Sequence, residues 1–233
     1  MQQVKSYILP ILFLLSFVLC FFPALEMLVT KWEASEDYAH AFLVVPIICY
    51  MAWQKKELFL ERSGSYGWLL VVIPFVLFYL LSLQMQIPTV IFFTMNLFLV
   101  GSLLYLAGIK GAKEFFVPVL LLFMIIPIPN QLLAAVTATL QLRISEISEV
   151  IIRGLSVPML REGNILHIQE MSFQVVDACS GIRSLISMTT LSVIIGYFTL
   201  KTKTTKILLF VFSIPVAIII NILRVVGMVL AYH

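Results

Sequence analysis

Ile207–Tyr232, ILLFVFSIPVAIIINILRVVGMVLAY, is the stretch that decides the fold class. It holds one charged side chain, Arg224, and a helix of this length outruns the roughly 30 Å hydrocarbon core of a bilayer. Four more runs read the same way: Tyr7–Val29, Tyr66–Leu83, Ile87–Ile109 and Cys179–Phe198. Of the 233 residues, 61% are hydrophobic and 12% charged, whereas a soluble domain carries about 25% charged residues. So few polar side chains cannot clothe a water-soluble surface. A soluble enzyme, a nucleic-acid binder and a secreted disulfide scaffold are excluded, and the chain reads as an all-α polytopic membrane protein.

The charges decide how many times it crosses. Lys5, Lys55, Lys56, Arg62, Lys110, Lys113, Lys201, Lys203 and Lys206, with Glu57, Glu61 and Glu114, fall on one side and leave it six positive. The other side holds Lys31, Arg143, Arg153 and Arg161 against nine carboxylates, Glu26, Glu33, Glu36, Asp37, Glu146, Glu149, Glu162, Glu170 and Asp177, and is five negative. Basic loops stay cytoplasmic. The alternation holds only if the two shorter runs, His40–Trp53 and Phe115–Ile128, also cross, which gives about seven spans with the amino terminus inside. The first run is too long for a signal-peptide core and lacks a small-residue cleavage site, so it is read as a span.

The whole of 1–233 reads as a single transmembrane domain with one sizeable insert, 130–178, on the outer side. The insert begins with apolar residues at helical spacing (Leu132, Leu133, Val136, Leu140, Ile144, Ile147, Val150, Ile151) and charges between them. This predicts an amphipathic helix over 130–156, on the membrane surface or against the bundle. Alternation then follows in Ile165–Ile168 and in Met171, Phe173, Val175 and Val176, with Gly163–Asn164 and Gln169–Glu170 as turn material. A short hairpin is expected, running straight into Asp177-Ala178-Cys179.

Two arginines lie inside apolar runs, where ionisable groups are costly and mark function or a paired structural site. Arg224 comes 18 residues after Lys206, about 27 Å up the helix, and Cys179 comes 22 residues before Lys201, about 33 Å up. The two stand at similar depth near the outer boundary, with Arg183 one turn from Cys179 on the same face. A membrane cysteine is usually a small apolar filler, and Cys20 and Cys49 fit that description. Cys179 differs. Asp177 as a cap would put it in a helix's first turn, where backbone N–H groups and the dipole favour a thiolate, and Ser180-Gly181 leaves room for a substrate backbone. A thiolate at the membrane edge is a nucleophile candidate. The histidines are His40, opening the second span, His167 in the hairpin, and His233, nine residues past Arg224. Their spacing matches no zinc pattern, so neither metal nor cofactor is expected.

Asp177-Ala178-Cys179-Ser180-Gly181-Ile182-Arg183 resembles the exosortase/archaeosortase family of membrane cysteine transpeptidases, and Ile220-Asn221-Ile222-Leu223-Arg224-Val225 is similar to its asparagine–arginine motif. Tyr38-Ala39-His40-Ala41-Phe42-Leu43 resembles the family's tyrosine–histidine segment, Ile126–Pro129 its proline turn, and Val157–Gly163 a stretch before the cysteine. The likeness runs through most of the chain in the family's order.

The resemblance implies an enzyme in the bacterial cytoplasmic (inner) membrane with its active site on the extracytoplasmic face. Its partners would be exported proteins ending in a sorting tail: a short motif of the PEP-CTERM kind, a transmembrane helix and a basic end. The genes of such enzymes often accompany exopolysaccharide machinery. By position Cys179 would be the acyl-thioester nucleophile and Arg224 the charge stabiliser. The third family residue, a histidine or arginine, would fall to His233, although relatives usually continue through another helix before it. Arg183, His40 and Asn221 would support substrate binding. The rival reading is a non-enzymatic transporter or assembly subunit for exopolysaccharide export, with the arginines on an anionic lipid-linked glycan. A carrier, however, has no need of a thiolate at matched depth.

Overall fold

A computed structural model describes residues 15–57, 68–168, 171–174 and 181–231, and among these described residues three helices are long and apolar enough to cross a bilayer. The chain falls into two compact units, Met1–Pro127 and Ile128–His233.

In the first unit α1 (Phe22–Ala34) leads through a 3-10 turn, Glu36–Tyr38, to α2 (Ala41–Gln54). Helices α3 (Trp68–Met85), α4 (Pro88–Glu114) and α5 (Phe116–Met124) follow. Proline in the first turn of α4 needs no N–H partner there, and Gly108 (φ 66) breaks that helix towards its end. Phe21 packs its ring 4.4 Å from that of Tyr79 and 5.0 Å from that of Phe98, pinning the start of α1 to α3 and α4. At one end of the unit Trp32 Nε1 donates to the Ile125 carbonyl at 3.0 Å and Thr89 to that of Pro127 at 3.1 Å. Elsewhere Lys55 meets the Glu114 carboxylate at 2.9 Å, which holds that carboxyl below its ordinary range. Residues that the charge pattern assigns to the outside therefore bond to one another, and so do two assigned to the inside.

In the second unit α6 (Asn130–Gly154) is followed by β1 (Met159–Glu162), β2 (Ile165–Ile168) and β3 (Met171–Gln174), then by α7 (Ile182–Thr199) and α8 (Lys203–Ala231). The strands form an antiparallel sheet in sequence order, with Glu162 opposite Ile165 and Ile168 opposite Met171. The expected helix and hairpin are present, and a third strand, β1, turns at Gly163–Asn164. Glu149 of α6 fastens this insert: it accepts from Arg153 at 2.9 Å and from Arg161 of β1 at 2.7 Å. Polarity in α6 changes along the axis as well as around it, with no charge in Asn130–Leu142 and four charged residues in Arg143–Arg153. Ile144 and Ile152 of α6, Val157, Leu166 of β2 and Ile222, Val225, Val226 and Val229 of α8 make the core of this unit. The α8 residues recur at i, i+3, i+4 and i+7, the stripe of a helix with one packed face.

The candidate spans are Pro88–Tyr105, Ile182–Thr199 and Lys203–Ala231, with Ile73–Met85 a shorter apolar helix. Helix α2, at 14 residues, and α5, at 9, are about 21 and 13 Å long, short of a bilayer's core. Seven crossings are thus not shown, although the membrane class is. Outward residues of α8 such as Ile207, Phe212, Ile219 and Leu223 are apolar, while Ser213, Ala217 and Asn221 are buried. That arrangement suits lipid as solvent. Cys20 and Cys49 are free and exposed, on outward surfaces of apolar helices.

Ile152 is fully buried and Ile151 is 37% exposed. Ile152→Ala should destabilise the protein by about 2–5 kcal/mol and Ile151→Ala by far less. Thermal unfolding of both variants in detergent checks this phase of α6.

Candidate functional site

The site begins where α7 begins. Gly181 is the N-cap of α7 at φ 79, a left-handed conformation that costs an L-residue about 1–2 kcal/mol. Its carbonyl accepts from Leu185 N at 2.8 Å and from Ser184 Oγ at 2.9 Å, closing the first turn. A right-handed helix cannot run back through a left-handed residue. The expectation that Asp177 caps this helix and puts Cys179 in its first turn is therefore corrected: that turn holds Ile182, Arg183 and Ser184. Asp177 and Cys179 themselves lie outside the described residues.

A Cβ at Gly181 would stand 2.9 Å from Asn221 Nδ2 and 3.2 Å from its Cγ, so the buried amide would have to shift to admit a side chain. This close approach joins the start of α7 to α8. At the far end of the pair a Cβ on Gly196 would stand 3.8 Å from Lys206, so 181 faces 221 and 196 faces 206. Each step along one helix matches a step back on the other over 15 residues, about 22 Å of antiparallel contact. Small residues line the seam: Thr189, Ser192 and Gly196 are buried on α7, and Ser213, Ala217 and Asn221 on α8. In lipid, helices associate through such close packing, since there is no hydrophobic gain in leaving one apolar phase for another.

Asn221 is buried at 3% exposure, and Arg224, one turn further, is exposed although Val225 and Val226 beside it are buried. Arg183 is half-buried on the first turn of α7. Of the residues singled out from the sequence, Arg183, Asn221 and Arg224 thus lie on one helical hairpin. His40 belongs to the first unit, at the N-cap of α2. Its Nδ1 donates to the Asp37 carbonyl at 3.1 Å, and its Nε2 is buried with no hydrogen-bond partner among the described residues. His167 sits on β2, with Nδ1 2.7 Å from Ser172 Oγ and Nε2 3.6 Å from Glu162. His233 lies outside the described residues. Among those residues no cluster of three metal-binding side chains occurs.

A family model described as transmembrane exosortase, Exosortase_EpsH, matches residues 32–233. The chain belongs to that family. No curated protein and no solved structure matches it. Exosortases are in general membrane cysteine transpeptidases, and the match runs through both structural units, from the end of α1 to the last residue.

Reading this exosortase's sequence did not expose the tie between Gly181 and Asn221. The signal was present as a glycine and a buried amide in two motifs, but only the helix register shows that they face each other. Glu149 was likewise counted as a loop charge, not as the residue that clasps two arginines.

Gly181→Ala should cost at least about 1–2 kcal/mol from the backbone alone, plus the clash with Asn221. In a double-mutant cycle Asn221→Ala should relieve the clash and leave the backbone penalty. Full additivity, measured by unfolding in detergent, would show that the two residues do not touch.

Proposed function

We propose that this exosortase is a cysteine transpeptidase or protease that removes the carboxy-terminal sorting tail of exported proteins, through an acyl-thioester on Cys179. The observation that carries the reading is the approach of Gly181 to Asn221, which links the segment bearing Cys179 and Arg183 to the one bearing Arg224.

In the proposed reaction the Cys179 thiolate adds to the carbonyl carbon of the scissile peptide bond. The Arg224 guanidinium stabilises the oxyanion that forms, an electrostatic role suited to a group whose pKa exceeds about 12 and which therefore rarely gives up a proton. Collapse breaks the C–N bond, the leaving amine takes a proton from water at the membrane edge, and the upstream part of the substrate stays as a thioester. An amine or hydroxyl acceptor, or water, then adds to the thioester carbonyl and releases Cys179. Arg183 and Asn221 position the substrate backbone, and by the family's order His40 supports substrate binding and His233 takes the third position.

The remaining parts of the reading follow from charge and from the family. About seven crossings with a cytoplasmic amino terminus are supported by the contacts of Lys55 with Glu114 and of Trp32 with Ile125. The family match across both units supports one domain over 1–233, with 130–178 outside the membrane and leading to the active-site helix. The proposed location is the bacterial inner membrane, with the active site on the extracytoplasmic face and exopolysaccharide machinery as a neighbour.

Co-expression with a tagged protein carrying a PEP-CTERM-like tail tests the reading. The wild type should shorten the tagged protein and Cys179→Ala should not. Arg224→Ala should slow the reaction about 100-fold or more, and Arg183→Lys should only weaken it. If Cys179→Ala shortens the tagged protein as well as wild type, the thioester is wrong; if neither form shortens it, the carrier reading takes its place.

A further inference from the structure

A three-stranded sheet has two outer edges, and this one treats them differently. In a two-residue hairpin the residues flanking the turn form a hydrogen-bonded pair, and hydrogen-bonded and open pairs then alternate along the strands. With Glu162 opposite Ile165, the outward-facing groups of β1 belong to Met159 and Arg161. That edge is covered: Arg153 of α6 donates to the Met159 carbonyl at 3.3 Å, and Arg161 is held by Glu149. With Ile168 opposite Met171, the outward groups of β3 belong to Ser172 and Gln174. Among the described residues no strand or helix covers them. An uncovered edge presents an ordered row of N–H and C=O groups and is a template for another strand, which proteins ordinarily blunt or cover.

We infer that the β3 edge receives an extended segment of the substrate polypeptide as a fourth strand, through the backbone groups of Ser172 and Gln174. The inference rests on the transpeptidase reading and names how that site holds its substrate. The chemistry selects a polypeptide, because only a backbone supplies donors and acceptors at the repeat of a strand. Position selects the substrate over a second copy of this chain. Cys179 follows five residues after Gln174 in the sequence, at most about 17 Å along an extended chain, so a peptide held at this edge is within reach of the nucleophile. Edge-to-edge pairing of two copies would bury the groups the site needs. Four residues of β3 span about 13 Å, enough to order a short motif and no more. The exposed face beside this edge carries Glu162, His167 and Ser172, a polar strip that a docked strand's side chains on that face would meet.

The test replaces Gln174 with a photoreactive side chain in full-length Cys179→Ala protein, and in a control replaces Leu160 of β1, whose edge α6 covers. The partner is the tagged protein with a PEP-CTERM-like tail, co-expressed and irradiated in membranes. A link to the tagged protein from position 174 and not from 160 is expected. Absence of that link, or links only between two copies of the chain, overturns the inference whatever happens to the tail. A link formed by a chain whose wild type never shortens the tail keeps the edge and removes the thioester chemistry, so the two readings fail separately. As a second measurement, Gln174→Pro removes one outward N–H without touching the β2 ladder, and should slow tail removal about three- to tenfold. An unchanged rate counts against the edge.

Discussion

The second unit depends on how closely two helices can approach without water between them. Helices α7 and α8 meet along serine, threonine, glycine, alanine and asparagine, and the tightest point is Gly181 against Asn221. A bulkier residue anywhere along this seam would move the helices apart. Within a bilayer no hydrophobic gain draws them back, since each helix is as well solvated by lipid as by its neighbour. The fit at the seam, and not the apolar character of the helices, therefore sets the position of Arg183 relative to Arg224.

The core of the same unit works differently. Val225, Val226 and Val229 of α8 pack on Ile144 and Ile152 of α6 and on Leu166 of the sheet, in the manner of a soluble domain. One helix thus has two packing regimes on adjacent faces, a small-residue seam towards α7 and a branched aliphatic core towards the insert. Glu149 holds the insert from its outer side through Arg153 and Arg161. The seam, the core and this clasp together leave the strands little freedom.

Membrane class, the long apolar helices, the insert's helix and its hairpin were legible in the sequence, because each rests on a periodicity or a length that single residues carry. Ile207–Tyr232 announces a span by itself, and Ile165–Ile168 a strand. The start of α7 was not legible: Asp177 is a good cap on paper, and only the backbone at Gly181 shows that the helix begins later. The count of about seven spans rests on loop charges alone, since α2 and α5 are too short to declare themselves as spans. Arg183, Asn221 and Arg224 could be picked out as unusual residues in apolar runs. That Asn221 touches Gly181 depends on the register between two helices, which no single stretch encodes.

A locked antiparallel pair acts as a ruler. With 181 held against 221 and 196 against 206, the distance from the basic turn at Lys201–Lys206 to the level of Arg224 cannot slip by a residue. The protein therefore fixes the height of its site, and bilayer thickness decides whether that height is wet or dry. In a thinner membrane the guanidinium of Arg224 stands clear of the hydrocarbon, and in a thicker one it is drawn beneath it, at rising cost in desolvation. Lipid composition is in this sense a determinant of the site, set by the cell and not by the sequence.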